Sequence, residues 1–138
     1  MKIIQNALTK IICLMLISTF FVACAKDAVT TPIDSTAAFK GSFVNSAHST
    51  SGNVTVNKEK TKLNFTDFKS DSGPNLDIYL VSNLSNVKGA FINLGDIKGL
   101  KGNYTYDLPT NTDFTVYKYV VVWCADFNVN FGYATLAP

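Results

Sequence analysis

Past residue 38 no stretch of the chain repeats its apolar residues with helical period. What recurs is a short run rich in Val, Thr, Tyr, Phe and Ile, closed at each end by Gly, Asn, Asp or Pro. Eight such runs follow one another: FKGSFVNS, NVTVNK, KLNFTDF, LDIYLV, AFINLG, NYTYDL, FTVYKYVVVWC and FNVNFGYATL. β-branched and aromatic residues suit a pleated, half-buried surface, and the clusters between the runs (TSGN, SDSGPN, GDIKGLKGN) have turn chemistry. Short strands at this spacing predict an all-β fold, a single antiparallel β-sandwich or barrel-like domain of about eight strands over residues 39–138. Gly95, Gly99 and Gly102 are expected to be turn glycines with positive φ.

Two runs carry finer information. In YKYVVVWC, Tyr117, Tyr119, Val121 and Trp123 alternate with Val120, Val122 and Cys124. Both sets are largely apolar, so this strand is expected to be covered on both faces. In FNVNFGY, Phe127, Val129 and Phe131 alternate with Asn128 and Asn130, the pattern of a strand with one wet face.

The first residues read as an address. Lys2 and Lys10 give a positive n-region, and Ile11 to Val22 form an apolar h-region too short to span a bilayer. The run ends in FVAC, which resembles the bacterial lipobox, in which the cysteine is lipidated through sulfur. This assigns residues 1–23 to a lipoprotein signal peptide, Cys24 to lipidation, and residues 24–38 to the lipidated cysteine and a polar, Pro-interrupted tether. The competing reading takes Ala23, Cys24 and Ala25 as a small-x-small site, cleaved to release a soluble secreted chain. Both readings export the protein. The first expects an outer-membrane lipoprotein of a Gram-negative bacterium, periplasmic or surface-facing, held to the membrane by its N-terminal lipid.

Removing Lys2 and Lys10 leaves ten lysines against ten acids, with no arginine. A mature chain of zero formal charge has no electrostatic claim on nucleic acid, which needs clustered cations. Cys13 and both methionines leave with the signal. With Cys24 acylated, Cys124 is the one free thiol, and an intramolecular disulfide is excluded.

The residue inventory narrows the chemistry further. A blue-copper centre wants two histidines, a cysteine and commonly a methionine, but the chain has one histidine, His48. No CxxCH attaches a haem covalently, and structural zinc wants four ligands. A hydrolytic triad would rest on His48 without a GxSxG elbow. The GDIKGLKGN stretch lacks the ending of a phosphate loop. Asp67, Asp71 and Asp77 depart from calcium-loop spacing and read first as turn residues. Tyr104, Tyr106, Tyr117, Tyr119 and Tyr133 offer either a stacking surface for a ligand or ordinary core and rim packing. No cofactor is identified, and a conventional enzyme is not indicated.

Two readings of Cys124 stand. In one it is a buried core thiol behaving as a small hydrophobe. In the other its sulfur is reachable at the strand end, where CAD turns, and is activated by a nearby cation. His48 is the only imidazole available. Lys118 shares the strand face but lies about 20 Å off at the usual strand rise.

The ordered set GSF, HSTSG, LNFTDF, SGPNLDIYLV, LGDIKGLKGNYTYDLP and YVVVWCADFNVNFGYATL resembles the DM-thirteen domain, the electron-transfer DM domain, across Phe39 to Leu136. In bacteria such domains often stand alone on lipoproteins. The resemblance implies a redox or electron-transfer role centred on a hallmark cysteine, which maps onto Cys124, with His48 as candidate partner. The protein partner implied is a redox partner or another envelope protein. The alternative function is a non-catalytic binding or adhesion module whose cysteine is structural.

Overall fold

The computed structural model describes residues 37–138; the expected signal peptide, Cys24 and most of the tether lie outside them. The domain is all-β. Its strands are β1 (Phe39–Asn45), β2 (Thr50–Val56), β3 (Lys62–Ser70), β4 (Leu76–Val81), β5 (Phe91–Asp96), β6 (Lys101–Asp107), β7 (Tyr119–Cys124) and β8 (Val129–Thr135). One 3₁₀ turn, Leu84–Asn86, interrupts the β4–β5 connection. All pairings are antiparallel, and the order is β5-β4-β7-β8-β1-β2-β3-β6. The sheet curls until its two edges, β5 and β6, are neighbours in sequence, giving a nearly closed barrel. Their link ties both sides of the seam: Ile97 N donates to Leu76 O at 2.8 Å, and Ser70 N to Leu100 O at 3.0 Å.

β1 joins the two halves of the sheet. Its first half, Phe39–Ser42, pairs with β2, and its second half, Phe43–Asn45, with β8. Inside the barrel Phe43, Phe65 and Phe68 form a mutual triangle with ring centroids 5.0–5.1 Å apart. Strict alternation would turn Phe68 outward from Phe65, but a register slip between them rotates it back into the core. Burying each such ring stabilises the fold by about 1.5–3 kcal/mol.

β7 is covered on both faces, as its two apolar sets require. Val120, Val122 and Cys124 join the barrel interior; Val121 and Trp123 join an outer cluster with Tyr79, Val81 and Val87, roofed by the β4–β5 connection. β4 beside it is buried at every position for the same reason.

Three details differ from the sequence reading. β7 begins at Tyr119, and the break before it lets Tyr117 pack against the inner cluster instead of sharing the Tyr119 face. Phe127 is not on β8: residues 125–128 form a turn and its ring is 70% exposed at the tip. Gly95 and Gly102 take positive φ, 97° and 142°, but within β5 and β6 and not in the turn between them.

Candidate functional site

Three loops meet at the pole of the barrel remote from the start of β1 at Phe39: the β1–β2 link (46–49), the β3–β4 link (71–75) and the β7–β8 turn (125–128). Backbone bonds lace them together. Ser46 N and His48 N both donate to Phe131 O at 3.0 Å, and Ala47 N to Asn130 O at 3.0 Å. Asp71 N donates to Ser49 O at 3.0 Å, and Ser49 N returns a bond to Asp71 Oδ2 at 2.9 Å. Ala125 N donates to Asn75 O at 2.9 Å, and the Asn75 side chain donates to Asp126 Oδ1 at 2.8 Å. Asn75 and Asn128 accept positive φ, 49° and 53°, a conformation asparagine tolerates in tight turns.

Both sequence-derived site residues are at this pole. Cys124 ends β7 opposite Leu76, and its sulfur is fully buried. The thiol donates to the carbonyl of Pro74, with Sγ to O 3.1 Å. His48 lies over the β8 end, its ring stacked on Phe131 with centroids 3.9 Å apart, its Nδ1 3.8 Å from Asp71 Oδ2 and its side chain 43% exposed. Imidazole and thiol therefore share one end of the barrel without sharing a bond. Phe131 and the Gly73–Pro74 segment stand between them. Gly73 has no alternative there: a Cβ at that position would sit 2.5 Å from Phe131 Cζ.

This arrangement can do two things chemically. At rest it holds the sulfur as a hydrogen-bond donor, shut off from water. For the sulfur to act as a nucleophile it must first give up the bond to the Pro74 carbonyl and become exposed. The clamps on the Gly73–Asn75 segment are the Asp71–Ser49 pair at one end and the Asn75 contacts at the other. Sequence reading did not pick out Gly73, Pro74, Asn75 or Phe131 as site residues; the only signal was the turn cluster SDSGPN.

The remaining candidates disperse. Asp67 sits at the β3 bulge with φ 51°, Asp71 clamps the β1–β2 link, and Asp77 is buried on β4, accepting from Asn93 Nδ2 at 3.2 Å. Among the described residues no three His, Cys, Asp or Glu side chains are placed to hold a metal ion. The tyrosines divide as well: Tyr106 fills the core, Tyr104 and Tyr117 pack at its edge, and Tyr119 meets Tyr133 edge-on in the outer cluster at 6.3 Å.

Comparison with known proteins adds one relationship. No significant match is found among curated proteins or among solved structures. The sequence profile described as Electron transfer DM13 matches residues 42–136, which takes in all eight strands apart from the first residues of β1, and with them the pole that holds His48 and Cys124. A match over that much of the chain places the protein in the Electron transfer DM13 family.

Proposed function

We propose that this chain is a redox accessory of the cell envelope, exported, tethered through lipidated Cys24, and reacting through Cys124. The single observation carrying the proposal is the Cys124 sulfur one carbonyl beneath the Gly73–Asn75 segment, in a family named for electron transfer. Asp71 and His48 sit at the edge of that segment, where they bias its opening. Once it lifts, the sulfur releases its proton and attacks one sulfur of a partner disulfide. The S–S bond breaks, a mixed disulfide forms, and the partner's second sulfur leaves as thiolate. The mature chain has no second cysteine, so a second partner carrying a dithiol completes the relay. One of its thiolates attacks the Cys124 sulfur and releases the first partner fully reduced. Its other thiol then closes a disulfide and returns Cys124 as thiolate, so that two electrons pass from the dithiol to the first partner's disulfide.

A second reading has its own observation. Complete burial and a satisfied thiol suit a structural cysteine in a binding module. Iodoacetamide labelling of the folded, acylated protein across low denaturant separates the two. The redox reading expects labelling through a local opening, nearly independent of denaturant and accelerated by Asp71→Asn. Labelling that tracks global unfolding alone would overturn it and leave the structural reading. Mass spectrometry of the mature N-terminus tests the anchor: acylated Cys24 supports it, and an unmodified chain starting at Lys26 removes it.

A further inference from the structure

On the outer face of the sheet, β2, β3 and β6 each lose regularity at the same level. The β2–β3 register slips between Ser51 and Asn53, and the β3–β6 register between Phe65 and Phe68. Gly52 (φ 114°), Asp67 (φ 51°) and Gly102 (φ 142°) all have left-handed backbone there. Gly52 is pressed so close that a Cβ would lie 2.7 Å from Phe68 Cα. Both slips count the same extra residue in β3, a single bulge at Asp67 flanked by Gly52 and Gly102 on the neighbouring strands. Beside it lies a shallow depression lined by Ser51, Asp67, Phe68, Lys69, Lys101 and Gly102. Left-handed conformation at a residue other than glycine costs free energy and tends to be kept where it serves a site.

The side chains around the depression are arranged against their own stability. Lys69 and Lys101 are direct cross-strand partners, and Ser51 faces Lys69 on the other side. Like charges directly opposite one another are destabilising. Among the described residues neither ammonium has a carboxylate within ion-pair distance. A row of hydroxyl, cation and cation, with the Asp67 carboxylate beside it, is the complement of a ligand that carries an anionic group and hydroxyls together.

We propose that this depression binds an acidic saccharide: Lys69 and Lys101 hold its carboxylate or phosphoryl group, and Ser51 and Asp67 take adjacent hydroxyls. The depression lies on the outer face beside the Ser49–Asp71 clamp, shares no residue with the segment over Cys124, and does not rest on the redox reading. Oligogalacturonate, glucose 6-phosphate and a neutral galacto-oligosaccharide are the probes, read by amide chemical shifts of the full mature chain. Shifts at Ser51, Lys69, Lys101 and Gly102 with either acidic probe, weakening with salt and reduced about tenfold in affinity by Lys69→Gln with Lys101→Gln, support the site. Which acidic probe acts distinguishes uronate from sugar phosphate. Equal shifts from the neutral sugar, binding that survives the double substitution, or no shifts with any probe would overturn it. Both lysines are exposed, so the variants are expected to fold.

Discussion

Cys124 and Pro74, fifty residues apart in sequence, are joined by a thiol-to-carbonyl hydrogen bond of 3.1 Å at the end of the barrel. The contact follows from strand register. Cys124 pairs with Leu76, so the residues just before Leu76 must cross the mouth of the barrel above the sulfur. The thiol has no open face of its own, so on the proposed redox reading its reactivity follows the stability of this one short segment.

Gly73→Ala tests that dependence. The new methyl would meet the Phe131 ring at van der Waals overlap, and Leu76 Cδ2 at 3.2 Å hems it in from the other side. Overpacking of this kind costs about 1–3 kcal/mol. The expected outcome is a lower denaturant midpoint together with faster alkylation of Cys124 in low denaturant. Destabilisation with unchanged native-state alkylation would mean that the segment does not control access to the sulfur.

The acid limb of stability is expected to depend on Asp107 and Asp113. The Lys62 ammonium, bonded to Asp107, holds its carboxyl below the ordinary 3.8; the Thr115 hydroxyl and amide do the same for Asp113. A carboxyl depressed in the folded state contributes stability above its unfolded value, and the contribution is lost as pH falls through the folded one. Both groups are fully exposed, so solvent and salt keep the effect small. Thermal melts across the acid range check this: Asp107→Asn and Asp113→Asn should each flatten the loss on acidification, and identical pH profiles would remove the assignment.

At the alkaline end the sign reverses. Burial pushes the Tyr106 phenol above its ordinary 10.0; the bond from Lys98 N partly opposes that shift, and neighbouring Tyr104 adds to it. An acid raised in the folded state contributes stability that is complete below its unfolded value and fades as pH climbs through the folded one. Tyr106→Phe forfeits the Lys98 bond, about 1 kcal/mol near neutrality. Above pH 10 it should nevertheless lose stability less steeply than the unaltered protein. Parallel slopes in denaturant titrations would contradict this.

Strand content was legible in the sequence because each run's apolar pattern demanded a face to bury, and the doubly apolar VVVWC run announced that both its faces are covered. The irregularities were not legible. A register slip in β8 between its pairings with Val122 and Trp123 sends both Phe131 and Gly132 inward, and nothing in NVNFGY marks where the extra residue falls. His48 and Cys124 stood out because they are scarce residue types. The segment that lies across the sulfur reads as an ordinary Gly-Pro turn, since its importance comes from a pairing fifty residues away.

Phe127 and Phe131 bring this contrast to measurement. Their spacing in FNVNF gives them one role by alternation, and a regular strand would make both substitutions similarly costly. In the structure Phe131 is 4% exposed, stacked against His48 and pressed on Gly73, whereas Phe127 stands 70% exposed at the turn. Phe131→Ala should therefore cost about 3–5 kcal/mol, as truncation of a buried aromatic does. Phe127→Ser should stay within about 0.5 kcal/mol of the unaltered protein, since it touches no buried feature. Urea midpoints at matched slope decide the matter. Comparable losses at the two positions would place the turn wrongly, and with it the Ala125–Asn75 bond that helps to hold the segment over Cys124.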